Sequence, residues 1–381
     1  MNVTVGFPRI HKESGERRDF LPELVAVAAR HSAGVVVERG IGEGMGLRDE
    51  DYLAAAPEIR VGGIDEAYAQ SVVLVLRAPI DRFDRLRSGQ TLVSMLHFRT
   101  RPARVQQLHD LRVEAVSLDL IEDDVGRRLV ENAQAVAWNG LEAAFDVLER
   151  TWPALASTDR RPVRVTILGA GEIGRDAVEA ATKYGSLDRQ RRLCALGCPG
   201  VEVVTIGRNL SHRDDYLRER LPVTDILVDA TQRSDPSIPL VRNEQVGLLP
   251  AHAVICDLAV DPYLLEGEPR VVRGIEGIPQ GNLDAFVFDV DDPAWDDVPI
   301  GIPATHRRRV VSCYSWPGVH PKACMELYGR QLAELLEMLL ERGGAAGLRA
   351  NGSFHERALW RASLRRWTGV DAPGAEVGVA R

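Results

Sequence analysis

Cysteine is scarce in this 381-residue sequence. There are five, Cys194, Cys198, Cys256, Cys313 and Cys324, an odd number without the spacing of a secreted disulfide framework. Cys194 and Cys198 are the only close pair, with no second Cys or His pair beside them, so the expectation is free thiols and no metal. Long apolar runs are missing too. No stretch approaches the roughly 18 uninterrupted apolar residues of a membrane span. Residues 1–8 lack the cationic and apolar regions of a signal peptide, so the expected location is cytoplasmic, away from membranes. Positive charge is not in excess: 47 Lys plus Arg stand against 55 Asp plus Glu, a net charge of −8. That balance argues against nucleic acid as a partner, which would need a cationic surface. No repeat of solenoid period is present.

What is present is apolar material for two cores, 45% of residues. β-branched runs at 3–6, 34–38, 59–61, 72–76, 91–96 and 115–121 alternate with helix-like spacing at 18–30, 64–69 and 103–111. A helical stretch covers 128–152, and 153–162 reads as a polar linker. A second series of runs follows at 164–168, 201–206, 226–230, 254–258, 285–290 and 310–314. Alternation of this kind predicts α/β architecture with parallel sheets. Beyond Pro321, leucines spaced by three and four predict a long helix stopped at Gly343-Gly344. The expected organisation is two Rossmann-like domains flanking a cleft. An N-terminal substrate domain spans 1–152 and is completed by a helix returning at 321–368. A dinucleotide-binding domain spans 160–320, and 369–381 reads as a frayed tail.

The stretch from Val165 to Gly174 is a strand running into G-x-G-x-x-G and then a helix. Gly169 suits the tight turn, Gly171 lets a pyrophosphate approach the backbone, and Gly174 lets helix and strand pack closely. Glu172 and Ile173 open that helix, whose first N–H groups would face the phosphates. The next strand ends in Gly207-Arg208-Asn209 with no acid for a ribose 2′-hydroxyl. That favours NADP(H), with NAD(H) still compatible if Asn209 meets the hydroxyl and Arg208 is only a loop charge.

The opening Gly6-Phe7-Pro8-Arg9, then Glu16-Arg17-Arg18, Leu21-Pro22 and the glycines at 40–46, resembles the alanine dehydrogenase/transhydrogenase family. So do Asp257-Leu258-Ala259-Val260-Asp261 and the corner Trp316-Pro317-Gly318 before Pro321-Lys322. Residues 120–128, Leu-Ile-Glu-Asp-Asp-Val-Gly-Arg-Arg, resemble a segment of the lysine-forming saccharopine dehydrogenases, which share the fold. The resemblance implies a nicotinamide cofactor and an amino-acid or 2-oxo-acid substrate. It places Arg77 where both branches have a lysine, His97 where the family has a histidine, and Asp261 at a cofactor-side aspartate. The departures are Arg77, the segment 133–140 in place of a Met-Ser-rich helix entry, and Tyr314 where the saccharopine branch has an acid.

His97, at a predicted strand end, is the acid/base candidate because imidazole titrates near neutrality. Asp119 and Asp261 would orient it or meet an ammonium, or are ordinary strand-end acids. Arg17, Arg18, Arg77 and Arg128 would grip a carboxylate, each with a solvated surface role as the alternative. Arg77 stays protonated and cannot act as a base. The aspartates at 289–297 read as an exposed acidic loop, and 357–366 as a helix packing on its own subunit. The first functional expectation is saccharopine-dehydrogenase-like chemistry at a C–N bond. Alanine-dehydrogenase-like deamination is the second, and a non-catalytic nucleotide-binding protein the third. A homo-oligomer is compatible with all three.

Overall fold

A computed structural model describes residues 3–10, 12–266 and 270–368; the tail expected at 369–381 lies outside the described residues. The chain forms two compact units. One takes the described parts of Met1–Lys12, Glu16–Asn132 and Pro321–Arg381, and the other Glu13–Gly15 and Ala133–His320. Among the described residues no helix is long and apolar enough to cross a membrane.

The first unit holds six strands, β1 (Thr4–Phe7), β2 (Gly34–Glu38), β3 (Ile59–Gly62), β4 (Val72–Arg77), β5 (Thr91–Met95) and β6 (Glu114–Ser117). They lie in the order β3-β2-β1-β4-β5-β6, every pair parallel. The chain reverses its direction of travel between β1 and β4, the switch point outside which α/β sheets bind ligands. The apolar run of β4 is buried throughout and only Arg77, its last residue, is half-buried, as a central strand covered on both faces requires.

The helix expected from residue 18 begins at Pro22 and runs to Arg30. Proline fits a first helical position, while residues 16–19 spend their polar groups on other contacts. The strand expected to reach 121 stops at Ser117, because Leu118–Leu120 turns. The long helix Pro321–Glu341 buries Cys324, Met325, Tyr328, Leu332, Leu335, Leu336, Leu339 and Leu340 and packs on Pro22–Arg30. It ends at Gly343 and Gly344, both with positive φ. The helices Phe354–Arg361 and Leu364–Thr368 follow. Arg357 and Arg361 bind Asp124, and the Trp367 ring packs on Phe98 at 6.1 Å.

The second unit holds β7 (Val163–Leu168), β8 (Val201–Ile206), β9 (Ile226–Asp229), β10 (Val254–Asp257), β11 (Val287–Phe288) and β12 (Arg309–Ser312). Their order is β11-β12-β10-β9-β7-β8. Only β11, much shorter than the run at 285–290 suggested, is antiparallel. The switch point here lies between β7 and β9. The unit boundary falls at 132/133 rather than at 152. The helix Ala133–Thr151 buries Ala137, Leu141, Ala144, Phe145, Val147 and Leu148 in the same core as β7, β9 and β10, so it belongs to the second unit.

Candidate active site

In the first unit the ends of three neighbouring strands carry the residues of interest. Arg77 pairs in register with Met95, two residues before His97, and Ser94 pairs with Ser117, two residues before Asp119. His97 is left-handed, with φ 53° and ψ 49°, a conformation uncommon for any side chain but glycine. Asp119 holds it there. The carboxylate accepts the His97 backbone N–H at 3.0 Å on Oδ1, and Oδ2 lies 3.4 Å from ring Nδ1. The Ser117 hydroxyl donates to the same Oδ1 at 2.7 Å. Burial would raise the Asp119 pKa, but the hydrogen bonds and charge of His97 and the Ser117 hydroxyl outweigh it, and the pKa falls to about 2. Asp119 is therefore a fixed anion beneath an imidazole that is half exposed, with Nε2 on the opposite edge of the ring.

Arg18 and Arg77 come together, but around a third group. Arg18 Nε and Nη2 donate to Glu16 Oε1 and Oε2 at 2.8 and 2.6 Å, and Arg77 Nη1 donates to Oε2 at 2.9 Å. The Glu16 side chain is wholly buried. Burial pushes its pKa up; the hydrogen bonds and charges of Arg18 and Arg77 prevail and hold it at about 2. Arg18 is held firmly protonated against its own burial by Glu16, and also feels Cys324 and Tyr328 of the returning helix.

Arg17 is exposed, donating its backbone N–H to Glu16 Oε1. Arg128 is exposed in a turn where Asp123 accepts from the Val125 and Arg127 backbones and from Arg127 Nε. Arg127 is thus occupied, and it is Arg128 whose charge reaches Tyr328.

In the second unit the glycine turn has the shape its sequence asks for. Gly169 has φ 100°, and a Cβ there would stand 2.4 Å from the Ala230 carbonyl oxygen. A Cβ on Gly174 would stand 2.2 Å from the Gly169 oxygen, whereas one on Gly171 would meet nothing within 4 Å. Two glycines are therefore demanded by packing, and the third leaves open space at the start of the helix Glu172–Thr182. Glu172 and Ile173 supply early N–H groups there, which lack intrahelical acceptors. These residues fit a dinucleotide diphosphate. Arg208 and Asn209 are exposed just after β8, with no acid in the pair.

Asp261 binds Arg233 Nη2 at 2.7 Å. Sequence reasoning missed the buried network beneath it. Asp257 accepts from Arg273, from Ser312 Oγ at 2.9 Å and from the Val260 N–H at 2.9 Å. Val260 is left-handed, with φ 50°, an outlier for a β-branched residue. Asp229, ending β9, accepts from Thr231; burial and then the charge of Asp257 push its pKa well above the usual carboxylate range. In the acidic stretch, Asp292 caps the turn Pro293–Asp297 and Asp289 binds Arg309.

Residues 8–134 match the alanine dehydrogenase/PNT N-terminal domain family. The alanine dehydrogenase of Mycobacterium tuberculosis is 26% identical over 283 residues, covering 68% of this chain and 73% of its own length. The NAD(P) transhydrogenase subunit alpha of Haemophilus influenzae is 20% identical over 409 residues, covering 99% of this chain and 73% of its own. Among solved structures, an L-alanine dehydrogenase superposes with TM-score 0.69 at 19% identity, with 94% of each chain covered, a likeness of fold. Residues 8–134 thus match the alanine dehydrogenase/PNT N-terminal domain, and the chain as a whole is similar to alanine dehydrogenases and to a transhydrogenase alpha subunit.

Proposed function

We propose that this chain is a cytoplasmic NAD(P)-linked amino-acid dehydrogenase, interconverting a small amino acid with its 2-oxo acid and ammonia. The observation that carries the reading is the His97–Asp119 pair, a histidine with a left-handed backbone whose ring is oriented by a half-buried carboxylate inside the alanine dehydrogenase-type domain. Strain of this kind is kept where function uses it. A bound nicotinamide would donate or accept the hydride at the amine carbon. Gly169, Gly171, Gly174, Glu172 and Ile173 would hold the diphosphate, and Arg208 with Asn209 would favour NADP(H).

His97 is the group suited to move the proton, through Nε2, while Asp119 stabilises the imidazolium. Arg77 and Arg18 would orient the substrate carboxylate electrostatically, with Arg17 and Arg128 at the exposed rim. Arg77 cannot take the proton that a lysine could, which leaves His97 as the sole acid/base group among the candidates. Asp261 is tied to Arg233, which supports a role on the cofactor side over one in proton transfer.

The saccharopine-like condensation rested on residues 120–128. That segment here is a turn bound by the C-terminal helix through Asp124, and the relatives named above are alanine dehydrogenases and a transhydrogenase, so deamination is the better supported chemistry. An absorbance screen at the reduced-nicotinamide band tests it, crossing 2-oxo acids with ammonia and with diamino acids. Turnover with ammonia, lost in His97→Ala and kept in Lys322→Ala, is expected. Turnover only with a diamino acid would favour condensation, and nucleotide binding without turnover would mark a non-catalytic relative.

A further inference from the structure

The peptide joining Leu96 to His97 is held at both ends by side chains of opposite charge. Its N–H donates to Asp119 Oδ1 at 3.0 Å, and its carbonyl oxygen accepts from Arg104 Nη1 at 2.7 Å. In the ordinary trans form these two groups point in opposite directions, so anion and cation grip the plane from opposite sides. Each also stands at the end of the peptide dipole that suits its sign. Arg104 belongs to the helix Pro102–Asp110, which buries only Leu108, and its half-buried side chain reaches back eight residues to the chain just beyond β5. Burial and the like charge of Arg101 pull its pKa below the ordinary arginine range, with Asp119 opposing them; a guanidinium stays protonated even so. The preceding peptide is tied down as well, since the buried Ser117 hydroxyl accepts the Leu96 N–H at 3.2 Å.

We infer that Arg104 is a positioning residue for His97: by holding the Leu96 carbonyl opposite the grip of Asp119, it keeps the His97 backbone left-handed and the imidazole over that acid. The inference rests on the dehydrogenase reading only for the use to which the histidine is put. A left-handed backbone is unfavourable for any residue with a Cβ, and it persists where the surroundings over-determine it. The Asp119 bond fixes the N–H end of the peptide and leaves a hinge about that bond. The Arg104 bond closes the hinge, so turning the plane breaks two contacts with charged groups, the stronger kind of hydrogen bond. Arg104 acts through the orientation of the ring, so its loss falls on kcat rather than on substrate binding.

NMR of the full chain with isotope-labelled histidine and bound NADPH, beside steady-state kinetics with pyruvate and ammonia, tests this. The His97 ring signals are identified by their loss in His97→Gln. Arg104→Met keeps much of the stem and removes the donors. It is expected to shift the His97 signals and to lower kcat by about tenfold or more, with KM for pyruvate within about threefold of the natural value. Arg104→Lys retains a charged donor and is expected to restore the signals and most of kcat. Unmoved His97 signals in a folded Arg104→Met overturn the inference, as does unchanged kcat, a raised KM alone, or no restoration by lysine. If Arg104→Met does not fold, Arg104→Gln, shorter and uncharged, is read by the same criteria. Shifted signals, restored by lysine, in a chain that reduces no 2-oxo acid support the inference and remove the dehydrogenase reading instead.

Discussion

The backbone N–H and the ring Nδ1 of His97 both face one carboxylate, that of Asp119, at 3.0 and 3.4 Å. A single acid thus fixes the left-handed backbone and the orientation of the ring. Asp119→Asn keeps an oxygen for the backbone N–H and removes the charge beneath the imidazole. We expect kcat to fall on the order of 10²-fold with little change in thermal midpoint. Steady-state kinetics beside a melting curve checks this; a large loss of stability with intact kcat would make the acid a structural prop alone.

The glycine turn should separate folding from binding. Gly174→Ala drives a methyl against the Gly169 carbonyl, so we expect a loss of about 1–3 kcal/mol and weakened nucleotide binding together. Gly171→Ala places its methyl in open space, at a φ of −72° that alanine adopts freely. Its melting temperature should hold while NAD(P)H affinity falls, read by nucleotide fluorescence.

Arg208→Ala should weaken NADPH by about tenfold and leave NADH nearly unchanged, since a rim guanidinium meets only the 2′-phosphate. Parallel titrations with the two nucleotides give the ratio directly. An equal loss for both would assign Arg208 to the common diphosphate.

Glu16 should also mark the acid limb of stability. Its pKa lies at about 2 in the folded chain against an ordinary 4.5, so the unfolded chain binds the proton more readily. The stabilisation is present above 4.5 and drains away as pH falls from there toward 2. By linkage it is worth on the order of 3 kcal/mol. Urea unfolding from pH 6 down to 2.5 should show a steeper decline for the natural protein than for Glu16→Gln.

Much of the architecture could be read from the chain because the relevant signals are local. Valine-rich runs such as 72–76 become buried strands, leucines spaced by three and four after Pro321 become the returning helix, and Gly169–Gly174 carries its own flanks. What escaped depends on partners far apart in sequence. Nothing near Glu16 foretells that Arg77 will reach it across the switch point, nor near Asp257 that Arg273 and Ser312 will. Valine is not a residue type that hints at a left-handed backbone, and the N–H that Asp257 accepts from Val260 belongs to that distant network. The boundary at 132/133 escaped for a related reason. The helix Ala133–Thr151 is apolar on the face that meets β7, β9 and β10, and its sequence does not say which of two parallel sheets that face will choose.

The return of Pro321–Glu341 to the first unit sets an order of assembly during synthesis. Residues 133–320 can all be in place once they have left the ribosome, whereas the strands before them must wait for a helix translated after those residues. The unit encoded second is then the one able to fold first, and the earliest-made strands stay unfinished longest. Chains arrested before Pro321 would present an uncovered face on Pro22–Arg30, the state in which such a protein is most exposed to aggregation and to chaperones.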